Sequence, residues 1–187
     1  WYWCGRALKG GSKVLEIKPE NNREVSSIEL GADRSPRIES FTLILELKSL
    51  KKLEEIKDKI ISESKNFGYD PEILLRLAEI ESHFDPLAIS SDGKDKGIFQ
   101  LRENTLEEIK NISGREINPF DAEDNIKGGL IYFDYLYKKY KDGPNALKTT
   151  LVAWNRGPTY VSENYPLNFN EIPETTKKLI DFVLKQK

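Results

Sequence analysis

Glu81 stands four residues after Leu77, at the end of an apolar stripe made by Ile73, Leu74, Leu77 and Ala78, and a segment broken by Pro86, Gly93 and Gly97 follows it. Residues three and four apart share a helix face, so this spacing turns the Glu81 carboxyl toward a core instead of toward water. The same position is the last turn of the helix, where unsatisfied carbonyls carry partial negative charge. Poor hydration and the helix dipole both oppose ionisation and push the acid upward in pKa, as a proton donor working near neutral pH requires. The alternative reading has Glu81 rotate off the stripe, either solvated or paired with Arg76 or a more distant lysine. Spacing alone leaves both readings open.

The residues after Glu81 extend the pattern. Glu81-Ser82-His83-Phe84-Asp85-Pro86, then Ala88, Ser90, Gly93, Gly97 and Gln100, resembles the first signature of the soluble lytic transglycosylases, Glu-Ser-x-Phe-x-Pro-x-Ala-x-Ser followed by a glycine turn ending Gly-x-x-Gln. A second block, Asp121 to Gly129, is similar to that family's Pro-x-x-Asn-Ile-x-x-Gly helix, with Asn125 and Ile126 in register. A third, Ala153-Trp154-Asn155-Arg156-Gly157-Pro158, resembles Ala-Tyr-Asn-Ala-Gly-Pro. The three ordered blocks cover roughly Asp70 to Val161. Departures stand beside these matches. Lys94-Asp95-Lys96 makes the glycine loop one residue longer than its commonest form, Trp154 replaces a tyrosine, and Pro173-Glu174-Thr175 matches only part of a C-terminal Pro-x-Glu-Thr-Arg-x-Tyr-Val element. Lys178 or Leu179 stands where that element has its tyrosine.

The resemblance implies a goose-lysozyme-like helical fold and cleavage of the β-1,4 bond between N-acetylmuramic acid and N-acetylglucosamine, with a 1,6-anhydromuramoyl product. It implies Glu81 as the catalytic acid. Ser90 is then expected to hydrogen-bond the substrate N-acetyl group or the catalytic carboxyl region. Gln100 and Asn155 are expected to hold polar glycan substituents, and Trp154 to supply a wall. A tryptophan there offers an N–H donor and no acceptor. Ser82 either fixes the Glu81 side chain or continues the helix. Glu174 is a candidate second acid or a surface helix-start carboxylate, and Phe99 is a core or cleft-floor residue. The two glycines, Gly93 and Gly97, are expected to let backbone approach a bound polymer. Two other functions remain open. One is a goose-lysozyme-like hydrolase, which needs a positioned water and a further carboxylate such as Asp92, Asp95 or Glu174. The other is a non-catalytic glycan-binding envelope protein.

Composition narrows the field further. Lys and Arg number 29 against 31 Asp and Glu, a formal charge of −2, which argues against a nucleic-acid partner. One cysteine, Cys4, excludes an internal disulfide framework and a thiolate cluster, and one histidine, His83, excludes a His-rich zinc site and a Ser or Cys triad. No metal or cofactor is expected. His83 is read as a helix cap or a residue of the cleft rim. No run approaches the ~18 apolar residues that span a bilayer, and no signal peptide is evident. The chain has no Met, so its numbered start is not read as the start of translation, and Trp1-Tyr2-Trp3-Cys4 is either the tail of a removed anchoring segment or an arbitrary boundary. The resemblance implies a bacterial envelope location, in the periplasm, a peptidoglycan glycan strand as partner, and an export signal outside this sequence.

The elements that must position these residues are mainly helical. Residues 1–46 form a mixed segment, with alternations at Val14–Ile17 and Ser27–Leu30 that read as short extended or β elements. Residues 47–187 carry helical periodicity and form the expected lysozyme-like domain. Leu50, Leu53, Ile56 and Ile60 make one stripe among solvated charges. Asp70 and Pro71 open the helix bearing Glu81, Asn104 with Glu107 reads as a capping box, and Asp121 caps a longer helix carrying Ile126, Leu130, Phe133 and Tyr140. Pro144 is expected to open the next helix and Gly157-Pro158 to end it, with a last helix around Glu174–Lys185 burying Leu179 and Val183. Glu81 and Asn155 both fall at helix C-termini, so packing those helices side by side would gather their ends at the edge of one groove.

Overall fold

A computed structural model describes residues 36–185, with side chains from residue 44 onward. Helix α1 spans Pro36–Phe67, α2 Pro71–Ser82, α3 Glu103–Ser113, α4 Ala122–Tyr140, α5 Ala146–Arg156, α6 Pro158–Glu163 and α7 Glu174–Val183. Two compact units divide between Glu55 and Ile56, within α1. Every site described below belongs to the second unit. The short extended elements expected at Val14–Ile17 and Ser27–Leu30 lie outside the described residues.

Helix α1 begins eleven residues before the expected 47. Between Pro36 and Gly68 the sequence has no glycine or second proline to break a helix, and the dense apolar run Phe41 to Leu45 hides its period. The stripe on α1 is buried only at its C-terminal end: Leu50 is exposed, whereas Ile56 and Ile60 are in the core.

Helix α2 starts as expected, with the Asp70 carboxylate accepting from Glu72 N at 3.0 Å and Pro71 in the first turn. A cap of this kind contributes about 1 kcal/mol. Leu74, Leu77 and Ala78 are fully buried, which turns the face carrying Glu81 inward. The helix ends at His83, in the left-handed region at φ 55°, whose N–H donates to Glu79 O. Phe84 follows at φ 66°, so two non-glycine residues in succession reverse the chain under α2. His83 thus caps the helix with its backbone, while its side chain is exposed.

Helices α4 and α5 form the centre. Asp121 caps α4 by accepting from Asp124 N at 2.9 Å, and Ile126, Leu130, Phe133 and Leu136 are buried along one face. Leu151, Val152 and Ala153 of α5 are completely buried. Helix α4 packs on α3 and α5, and α7 packs on α2 and α5. Leu179 and Val183 are buried on α7, as the periodicity predicts. Two starts differ from expectation. Arg102, not Asn104, stands at the cap of α3, and Asn104 accepts only from the next residue's N–H. Asn145, at φ 59°, precedes α5, so Pro144 lies in the turn before that helix.

Between α2 and α3 the described chain contains two isolated antiparallel bridges, Ile89 with Lys96 and Lys96 with Leu101. Ile98-Phe99-Gln100 lies in a turn. Gly97 at φ 74° and Gln100 at φ 47° bend the backbone, and Gln100 N donates to Gly97 O at 3.1 Å.

Candidate active site

Glu81 leaves the C-terminal turn of α2 and meets Trp154 of α5, whose Nε1–H donates to Oε1 at 3.0 Å. Burial pushes the carboxyl up to about 7, the negative charge of Asp95 adds to the effect, and the Trp154 hydrogen bond opposes it. Desolvation wins because one neutral donor replaces only part of a carboxylate's hydration. Near neutral pH this group can exist as an acid and as its conjugate base in comparable amounts. The alternative pairing with Arg76 does not form: Arg76 Nε donates to Glu72 at 2.9 Å and its guanidinium donates to the carbonyls of Val183 and Lys185.

Trp154 is held by aromatic neighbours from two elements. Its ring lies 5.9 Å from Phe99, 5.7 Å from Tyr132 and 6.2 Å from Phe133, in edge-on or tilted arrangements. Such contacts add to burial and hold the ring's orientation. Tyr132 stacks in turn on Tyr135 at 6.2 Å, and burial pushes the Tyr132 phenol up to about 12, with Glu108 of α3 contributing. Sequence reading missed these tyrosines. Their only signal was a Tyr132-Phe133-x-Tyr135 cluster on a helix already assigned to the core.

The other predicted site residues are engaged with the protein itself. Ser82 Oγ donates to Ile98 O at 2.8 Å, tying the end of α2 to the turn at 97–101. Ser82 is the last residue of α2, so it continues the helix and also anchors its end to that turn. The Gln100 amide donates to Gly97 O at 2.8 Å and Ala88 O at 3.3 Å. Ser90 Oγ donates to Asp92 at 2.6 Å and accepts from the backbone N–H groups of Asp95 and Lys94 at 2.9 and 3.2 Å. Asn155 Oδ1 accepts from the buried Thr176 hydroxyl at 2.7 Å, linking the ends of α5 and α7. Phe99, 1% exposed, is a core residue.

A residue given no role by the sequence organises this region. Asn125, completely buried in the first turn of α4, accepts from Phe99 N at 2.8 Å and donates to Pro119 O at 2.8 Å and Lys96 O at 3.1 Å. Its register in the second block was the available signal. Gly97 sits directly against it: a Cβ there would come within 2.1 Å of Pro119 O and 2.3 Å of Asn125 Nδ2. The glycine is thus required by the close approach of Pro119 and Asn125, whereas a Cβ at Gly93 would meet open space.

The three other candidate carboxylates are accounted for. Asp95 is gripped by Arg102 through both oxygens, at 2.7 and 2.8 Å. Asp92 is held well below the usual carboxylate range, first by the Ser90 hydroxyl and then by Lys94 N–H. Glu174 is exposed in the first turn of α7 and lies 3.7 Å from Lys177, the surface alternative of the two readings.

The description of the transglycosylase SLT domain matches residues 58–172, more than half of the chain. The chain belongs to this family. Glu81 and all three signature blocks lie inside the matched range of the SLT domain, and Glu174 lies beyond it. The domain is similar to membrane-bound lytic murein transglycosylase F of Maricaulis maris, 37% identical over 92 residues, covering 48% of this chain and 19% of that protein. It is also similar to membrane-bound lytic murein transglycosylase C of Mannheimia succiniciproducens, 30% identical over 104 residues and covering 50% and 29% of the two chains. This chain therefore spans less than a third of the length of these relatives. The 70 kDa soluble lytic transglycosylase of Escherichia coli shares the fold, with a TM-score of 0.53 at 19% identity over 67% of this chain and 22% of that one. The mainly helical, lysozyme-like architecture expected from the signature blocks is thus established for the SLT domain. No helix among the described residues is long and apolar enough to cross a membrane.

Proposed function

We propose that this SLT domain is a peptidoglycan lytic transglycosylase acting in the bacterial cell envelope, in the periplasm, with Glu81 as its catalytic acid and base. The observation that carries the reading is the desolvated Glu81 carboxyl beside Trp154, raised to about 7 while Asp95, Asp92 and Glu174 are engaged elsewhere.

In this reading Glu81 gives its proton to the glycosidic oxygen as the C1–O bond of the muramoyl residue breaks, and the bonding electrons leave with that oxygen. The 6-hydroxyl oxygen of the same muramoyl ring then bonds to C1, and its proton passes to the Glu81 carboxylate. The acid is regenerated, the product is the 1,6-anhydro sugar, and no water is consumed. An internal nucleophile removes the need for a second carboxylate, in keeping with the committed state of the other three. A hydrolase would need a positioned water and usually a further carboxylate to activate it. The groups proposed for glycan contact are the exposed Asn155, next in sequence to Trp154, and the half-buried face of Trp154 itself.

The test is a digest of purified sacculi by the wild type and by Glu81→Gln, with soluble fragments resolved by mass spectrometry. Anhydro ends from the wild type alone are expected. Reducing ends would make the protein a hydrolase, and no soluble fragments a glycan binder.

A further inference from the structure

Trp154 does more at this site than offer a flat surface. A carboxylic acid has two oxygens, and only the one that faces the scissile bond can deliver a useful proton. Trp154 Nε1–H donates to Oε1 at 3.0 Å, and indole nitrogen has no lone pair available to accept a hydrogen bond. The carbonyl-type oxygen of a protonated carboxyl is the better acceptor, so this donor favours the tautomer with Oε1 unprotonated. A hydroxyl-bearing residue at 154 could reverse the contact, accepting from the carboxyl and drawing its proton into an internal hydrogen bond. The contacts with Phe99, Tyr132 and Phe133 keep the indole from turning away.

We propose that Trp154 is a positioning residue that sets which oxygen of Glu81 carries the transferable proton: its one-way donation to Oε1 places the proton on Oε2 and presents it to the glycan. The same donor continues to hold Oε1 after the proton has left, so the carboxylate that receives the 6-hydroxyl proton has an unchanged orientation. This deepens the lytic reading and rests on it only for the destination of the proton.

Other charges near the acid are fixed. Asp95 faces it from the 88–101 segment under the grip of Arg102, Tyr132 on α4 is neutral at working pH, and Glu79 and His83 on α2 itself have exposed side chains. A shift in Glu81 titration on changing the indole therefore reports the hydrogen bond.

The experiment replaces Trp154 in the full chain by Phe and, separately, by β-(3-benzothienyl)alanine, which keeps the bicyclic shape without the N–H. The Glu81 carboxyl is followed by carbon-13 NMR, its resonance assigned by its loss in Glu81→Gln, and kcat and KM are measured against pH on purified glycan strands. Removing the donor destabilises the carboxylate, so the titration and the alkaline limb of kcat are expected to rise by about one pH unit. Below that limb kcat is expected to fall by about tenfold, with KM within twofold of wild type in the benzothienyl variant, which keeps the ring face. An unchanged titration in the benzothienyl variant, or a loss confined to KM, would overturn the proposal. The titration needs no turnover, so it judges Trp154 even if the sacculus digest rejects the lytic reading.

Discussion

The segment from Ala88 to Leu101 and the paired ends of α2 and α5 carry equally good sequence matches, yet their side chains are put to different uses. In the segment, Ser90, Gln100 and Gly97 are engaged with backbone groups or close packing that shape the turn. At the helix ends, Glu81 and Trp154 meet each other across 3.0 Å in a desolvated setting, with one carboxyl oxygen held by a donor. The contrast teaches that a signature can preserve a scaffold and a reaction in the same run of residues. Hydrogen-bond partners, not residue types, separate the two.

The largest test of this contrast is the acid itself. Glu81→Gln keeps the shape and the contact with Trp154 while removing the titratable proton, and turnover is expected to drop by about 10²- to 10⁴-fold with the fold intact by circular dichroism. Next comes the scaffold: Asn125→Ala leaves Phe99 N–H and two carbonyls without their partner, and calorimetry is expected to show about 3 kcal/mol lost. A loss of activity in that variant without a loss of stability would move Asn125 from scaffold to chemistry.

A comparable effect follows from pH. Glu81 is raised from its ordinary 4.5 to about 7, so its folded form prefers the proton. Below about 4.5 both folded and unfolded chains hold that proton and nothing is lost; as pH rises through 7 the folded state must ionise a buried group. The wild type is therefore expected to lose about 3 kcal/mol relative to Glu81→Gln between pH 4 and pH 8, measured by parallel urea unfolding. Equal curves for the two proteins would place the carboxyl in water. The smallest effects sharpen the lower end: Ser90→Ala is expected to lower stability by about 1 kcal/mol, and Glu174→Gln to change the rate by less than about twofold.

Much of this was legible in the sequence because local rules decide it. Asp70-Pro71 and Asp121 cap helices wherever they are placed, and the spacing of Leu74, Leu77 and Glu81 fixes a shared face. Sequence also supplied the fact that tryptophan at 154 donates without accepting. What it could not supply was the partner, since 73 positions separate Trp154 from Glu81. Ser90 and Gln100 were expected at the glycan, and Ser82 at the Glu81 side chain or within the helix, because residue type shows hydrogen-bonding capacity but not which protein groups also draw on it. Gly97 follows the same logic: a glycine announces a close approach, and only the folded chain shows that Pro119 and Asn125 are what lies against it. The start of α1 was missed because a continuous apolar run has no readable period.

Asn125 recognises Phe99, Lys96 and Pro119 solely through their peptide groups, which every amino acid supplies. The anchorage is consequently indifferent to the identity of the side chains it holds in place. It fastens Lys96 and Phe99, so the exposed residues from Ser91 to Lys94 can vary while the backbone beneath the acid keeps its form. Such an arrangement leaves the rim free to differ, and the peptide floor beneath Glu81 inherits none of the disturbance.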